Sequence, residues 1–103
     1  MNIIWTYFAR DELFQIYEYY RDNVSAKVAR NIIKSLEKRI DILHSFPYSG
    51  QIEETLKVLN ENHRYLVEGN YKIIYKVDQN IIYITDVFDT RRDPQYLLEN
   101  KRR

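Results

Sequence analysis

Arg91 and Arg92, followed at once by Asp93 and Pro94, are the residues of this chain best suited to chemistry. A guanidinium is charged at every physiological pH and presents a planar fork of N–H donors, so two in succession can hold a phosphate or a carboxylate. They follow Ile81-Ile82-Tyr83-Ile84-Thr85-Asp86-Val87-Phe88-Asp89, a run dominated by β-forming residues. A twin arginine at the end of a buried strand has no packing role; the competing reading is an ordinary surface salt bridge. From Arg91 onward five basic residues (Arg91, Arg92, Lys101, Arg102, Arg103) meet two acidic ones (Asp93, Glu99), a local charge of +3. The whole chain carries only +1, so residues 1–90 hold the remaining −2. The C-terminal end is the basic end, to be read either as a docking surface for phosphate or an acidic partner, or as the solvated tail of a helix.

Other chemistries find less support. With no cysteine there is no disulfide framework and no thiolate nucleophile, which fits a reducing cytoplasm. His44 falls near the end of a helix, where its ring suits the dipole, and His63 reads as a loop residue. Neither has a Cys or carboxylate at ligand spacing, so no metal and no cofactor is expected. Tyr17, Tyr19 and Tyr20 read as packing residues rather than a base-stacking platform, since two of them lie on an apolar helical stripe. The first residues turn polar and charged too soon for a signal peptide, and no apolar run approaches the roughly 20 residues of a membrane span, so a soluble, cytoplasmic protein with no membrane partner is expected.

The elements that must position the arginines can be read in order. Ile3, Ile4 and Trp5 form a short strand, and Thr6 is placed to cap a first helix over about residues 7–22, with Ala9, Leu13, Ile16, Tyr17 and Tyr20 as its apolar stripe. Ser25 caps a second helix over about 26–44, whose Ala29, Ile33, Leu36, Ile40 and Leu43 alternate steps of four and three. The short connection makes the two an antiparallel αα-hairpin. Pro47 ends the second helix and Gly50 is expected to adopt positive φ in the turn after it. Residues 51–63 read as a loop with a short strand around Lys57 to Leu59. Arg64–Val67 is a strand, Glu68-Gly69-Asn70 a turn, and Tyr71–Asp78 with Ile81 onward a hairpin closed by Gln79-Asn80. Within that last strand, period-two alternation groups Ile82, Ile84 and Phe88 on one face and Ile81, Tyr83 and Val87 on the other. Pro94 opens a short final helix in which Tyr96 and Leu97 can lie back on the body. The expected fold is α+β, residues 1–103 in a single domain: an N-terminal strand, an αα-hairpin, a three- or four-stranded antiparallel sheet, and a short C-terminal helix.

Phe46-Pro47-Tyr48-Ser49-Gly50, Arg64-Tyr65-Leu66-Val67, Tyr71 to Tyr75 and Arg91 to Pro94, in this order and spacing, resemble the RelE/ParE family of toxins from type II toxin-antitoxin pairs. The resemblance runs over nearly the whole chain and implies the same α+β architecture. RelE-like members cleave messenger RNA on the ribosome by driving a 2′-OH onto its phosphate, which needs a base, cations and an acid. On that pattern Lys72 stands where such enzymes carry an arginine, Arg91 matches their arginine after the last strand, and Tyr96 lies near their C-terminal tyrosine. The ParE-like branch matches more closely, through Pro47 and Gly50, Arg64, and the Arg91-Arg92-Asp93-Pro94 ending. It implies a toxin that binds DNA gyrase, is neutralised by a cognate antitoxin, and uses Arg64, Lys72, Arg91 and Arg92 to hold its target or partner. Asp89 stands where many relatives carry histidine, which argues against a base at that position. The alternatives are the ribosome-dependent ribonuclease, with Lys72, Arg91 and Tyr96 catalytic, and a degenerate antitoxin-binding protein without toxicity.

Overall fold

A computed structural model describes residues 1–101; the expected basic residues Arg102 and Arg103 lie outside the described residues. The chain runs β1 (Asn2–Trp5), α1 (Tyr7–Asn23), α2 (Ala26–Asp41), a 3₁₀ turn (Ile42–His44), β2 (Gln51–Ile52), a longer 3₁₀ segment (Glu54–Leu59), β3 (Arg64–Glu68), β4 (Tyr71–Asp78), β5 (Ile81–Asp89) and α3 (Gln95–Lys101). The expected strand around Lys57 to Leu59 is therefore helical. Glu53 accepts from the Thr55 amide to start that segment, and Asn60, at φ 55°, ends it in the left-handed region. Five strands form one sheet in the order β1-β5-β4-β3-β2. All neighbours are antiparallel except β1, which joins β5 in parallel and makes the sheet mixed; the αα-hairpin follows β1 and leads toward β2 at the opposite edge.

The helices start where hydroxyl caps stand. Thr6 Oγ1 accepts from Ala9 N at 3.1 Å and Ser25 Oγ from Val28 N at 3.1 Å, each satisfying a donor that the first helical turn leaves open. The Gln79-Asn80 turn has positive φ at both residues (48° and 65°), the geometry whose twist suits a two-residue hairpin. Gly50 is not in the positive-φ region, contrary to expectation; glycine is needed there for close approach. Its amide donates to the Tyr75 hydroxyl at 2.9 Å, and a Cβ would stand 2.6 Å from that oxygen and 2.7 Å from the Tyr65 carbonyl.

The αα-hairpin covers one face of the sheet. Ala9, Leu36, Ile40 and Leu43 pack there on Leu66, Ile73, Tyr75, Ile82, Ile84 and Val87. A smaller cluster on the other face joins Ile74 and Phe88 to Leu56 of the 3₁₀ segment and Leu97 of α3. Val87 thus lies with Ile82 and Ile84, and Phe88 opposite them, the reverse of simple alternation. The cause is a bulge: Ile74 pairs Asp86 while Tyr75 pairs Ile84, so Thr85 is the extra residue and the parity of β5 flips after it.

Candidate functional site

Asp89 organises the end of β5. Its Oδ1 accepts from the Arg91 amide at 2.9 Å and from Arg91 Nε at 3.0 Å, while Oδ2 accepts from Arg91 Nη2 at 2.7 Å. This paired contact holds the carboxyl below its usual range, chiefly through the hydrogen bonds from the Arg91 side chain, and raises the guanidinium's pKa in return. Thr90 fixes the next step by donating both its amide and its hydroxyl to the Asn70 carbonyl, at 2.8 and 2.9 Å. Arg91 accordingly faces a cleft of about 540 Å³ between α1, at Glu12, Ile16 and Tyr19, and the strand ends at Tyr71 and Val87. Tyr71 in its wall shares a 3.5 Å contact with the Tyr20 hydroxyl. Burial first, and then that contact, push its phenol pKa upward.

Arg92 lines the same cleft but reaches over the rim: its guanidinium carbon lies 4.7 Å from the Tyr96 ring centroid and 5.6 Å from that of Phe88. Arg91 and Arg92 thus form one corner, exposed and cationic, braced by a carboxylate on one side and aromatic rings on the other.

The remaining candidates lie elsewhere. Lys72, cross-strand from Phe88, belongs to the face opposite the helices; its Nζ stands 2.9 Å from Glu53 Oε1 and 4.1 Å from the Tyr65 ring centroid. Glu53 is 3 % exposed, so the lysine charge neutralises a buried carboxylate. Arg64 pairs Tyr75, which lies four residues, about 13 Å at about 3.3 Å per residue, along β4 from Tyr71, the partner of Asp89, so Arg64 is set apart from the arginine corner. Its guanidinium donates to the carbonyls of Gly50 (2.9 Å) and Tyr48 (3.3 Å) and lies over the Tyr48 ring, bracing the Pro47–Gly50 turn. Tyr96 shares the Phe88 side with Lys72, whereas Arg91 is turned toward α1. Lys72, Arg91 and Tyr96 do not converge on one point.

The histidines tie neighbouring segments together. His63, in the loop before β3 as expected, is buried there: its Nε2 lies 3.6 Å from Glu61 and its carbonyl accepts from the Glu53 amide. His44 sits within contact of the N-terminal strand, its Nδ1 2.8 Å from the Met1 carbonyl. Among the described residues no group of acidic, histidine or cysteine side chains is arranged to hold a metal, and no helix is long and apolar enough to cross a membrane. By sequence alone Asp89 reads only as the absence of a base. Its spacing of two from Arg91, which lets a short carboxylate reach back onto both the amide and the guanidinium, was the available signal for its bracing role.

An αα-hairpin over one face of a mixed sheet, with a short C-terminal helix on the other and an arginine corner at the end of the last strand, defines a small α+β class of protein. One solved structure of that class, "Chromosomal ParDE TA system from P. aeruginosa", superimposes with a TM-score of 0.73 at 18% identity, covering 86% of this chain and 95% of its own. The model of a family described as "ParE toxin of type II toxin-antitoxin system, parDE" matches residues 3–94. The chain belongs to the ParE toxin family. No curated protein matches it.

Proposed function

We propose that this chain is the growth-inhibiting toxin of a type II pair, that it acts in the cytoplasm by binding DNA gyrase rather than by cleaving RNA, and that a cognate antitoxin neutralises it. The observation that carries the reading is the family match over residues 3–94. The placement of the candidate residues favours binding over catalysis. Lys72 is engaged by Glu53 and Arg91 by Asp89, on opposite faces of the sheet, so the cations and the acid that strand scission requires are not focused on a single phosphate. The Arg91–Arg92 corner instead presents two cations at an open cleft, Arg91 braced on Asp89 and Arg92 with its fork of donors in no ion pair among the described residues, suited to a carboxylate or phosphate on a large partner. In this reading Arg91 and Arg92 contact the target, while Arg64 and Lys72 hold the surface in shape.

The test is the order of events after induction in a sensitive bacterium. A rise in the DNA-damage response before translation slows is the expected result. Translation arrest first, with messenger cleavage, would replace gyrase by the ribosome.

A further inference from the structure

The two helices of the hairpin carry charge in unlike ways. On α1, Asp11, Glu12, Glu18 and Asp22 outnumber Arg10 and Arg21, and Arg21 is engaged by Glu18 and Asp22 at 3.8 and 2.9 Å. On α2, Lys27, Arg30, Lys34, Lys38 and Arg39 face only Glu37 and Asp41, a local +3. Lys27, Arg30, Lys34 and Lys38 recur at steps of three, four and four, which places them in one row along the helix. All four are exposed, and among the described residues none forms an ion pair. Like charges at this spacing repel by some tenths of a kcal/mol per pair in an isolated helix, so the row costs the fold something and returns no ion pair among the described residues.

We infer that this row of four cations on α2 is a docking surface for the phosphate backbone of duplex DNA. Eleven residue steps at about 1.5 Å give a row of about 16 Å, the axial rise of roughly five phosphates of one strand. A protein partner fits less well. Stable protein interfaces centre on apolar and aromatic side chains with charges at the rim, and Ala26–Asp41 exposes no large hydrophobic residue. A single strand fits less well too, because no aromatic side chain occurs on α2 on which bases could stack. The choice of DNA over RNA rests on the gyrase reading, since that enzyme works on duplex DNA. The row is distinct from the arginine corner, and its four cations, engaged with phosphates, give sequence-independent binding.

The experiment uses the purified full chain and a fluorescein-labelled 20-base-pair DNA duplex, with anisotropy followed from 50 to 200 mM salt. Four phosphate contacts predict a slope of log K against log salt of about −3 to −4. Lys34→Ala should reduce the slope by about 1, and the fourfold variant Lys27→Ala, Arg30→Ala, Lys34→Ala, Lys38→Ala should lose at least tenfold in affinity at 50 mM salt. Should the fourfold variant fail to fold by circular dichroism, Lys27→Ala and Lys34→Ala alone decide through the slope. Absence of binding at 50 mM salt, or slopes unchanged by these substitutions, would overturn the inference. So would equal affinity for a duplex RNA of the same length, or loss of antitoxin binding in place of DNA binding, which would assign the row to RNA or to protein. No gyrase is present in the assay, so its failure is separable from failure of the target reading.

Discussion

The two faces of the sheet are covered by unlike material. Toward the helices the contact is mainly apolar, from Ala9 and Leu36 to Ile73, Ile82 and Val87, and each fully buried Leu, Ile or Val side chain there is worth about 1.5–3 kcal/mol. Toward α3 and the 3₁₀ segment the apolar cluster has four buried members, and the buried polar residues Glu53, His63, Thr85 and Asp86 all lie outside the helix-side cluster. Asp86 accepts from Asn100 of α3 at 3.1 Å, so even the docking of that helix is partly polar. The difference teaches that the αα-hairpin side supplies the stability, and that the other side is a thinner, polar layer tied down by specific pairs.

Truncation should separate the faces most sharply. Ile82→Ala, in the thick layer, is expected to cost about 3–5 kcal/mol, and Leu97→Ala about 2 kcal/mol because a seven-residue helix packed on a small cluster can settle into the space it leaves. Urea denaturation of both variants checks this; equal losses would mean that α3 is as firmly packed as the hairpin. A smaller effect sharpens the polar side. Lys72→Met leaves the buried Glu53 carboxylate without its cation and should cost about 1–3 kcal/mol, most of it restored by adding Glu53→Leu. A double-mutant cycle with additive losses would show that the pair contributes nothing.

The smallest expected effect is a pH dependence that belongs to the helix side. Burial raises the phenol pKa values of Tyr71 and Tyr75 above the ordinary 10.0, so the unfolded chain ionises first. Stability from these two groups is therefore fully present below pH 10 and is lost as pH rises beyond it. Melting temperatures measured from pH 8 to 11 should fall only at the alkaline end, and Tyr71→Phe should flatten the fall.

What the sequence made legible follows the same division. Both helices, their caps at Thr6 and Ser25, and the hairpin turn at Gln79-Asn80 were readable because each rests on local chemistry and a single period. The parallel docking of β1 on β5 was not, since four residues carry no signal for their partner. The bulge at Thr85 is hidden for a related reason: strict alternation cannot announce the position at which it breaks, so it places Val87 and Phe88 on the wrong faces. At the candidate site the adjacency of Arg91 and Arg92 was plain. That Arg64 braces Tyr48 and Gly50, and Lys72 neutralises Glu53, depends on residues 16, 14 and 19 positions away, beyond what spacing reveals.

The central claim is that the arginine corner binds and does not cleave. Growth inhibition and ribosome-dependent messenger cleavage, measured side by side for the wild type, Arg91→Ala and Tyr96→Phe, test it most directly. The account predicts no messenger cleavage by any of the three, loss of growth inhibition in Arg91→Ala, and inhibition by Tyr96→Phe within about twofold of wild type, since loss of a proton-transfer group would instead cost on the order of 10² to 10⁴ in rate. Cleavage by the wild type that disappears in Tyr96→Phe would contradict the account and leave membership of the family intact.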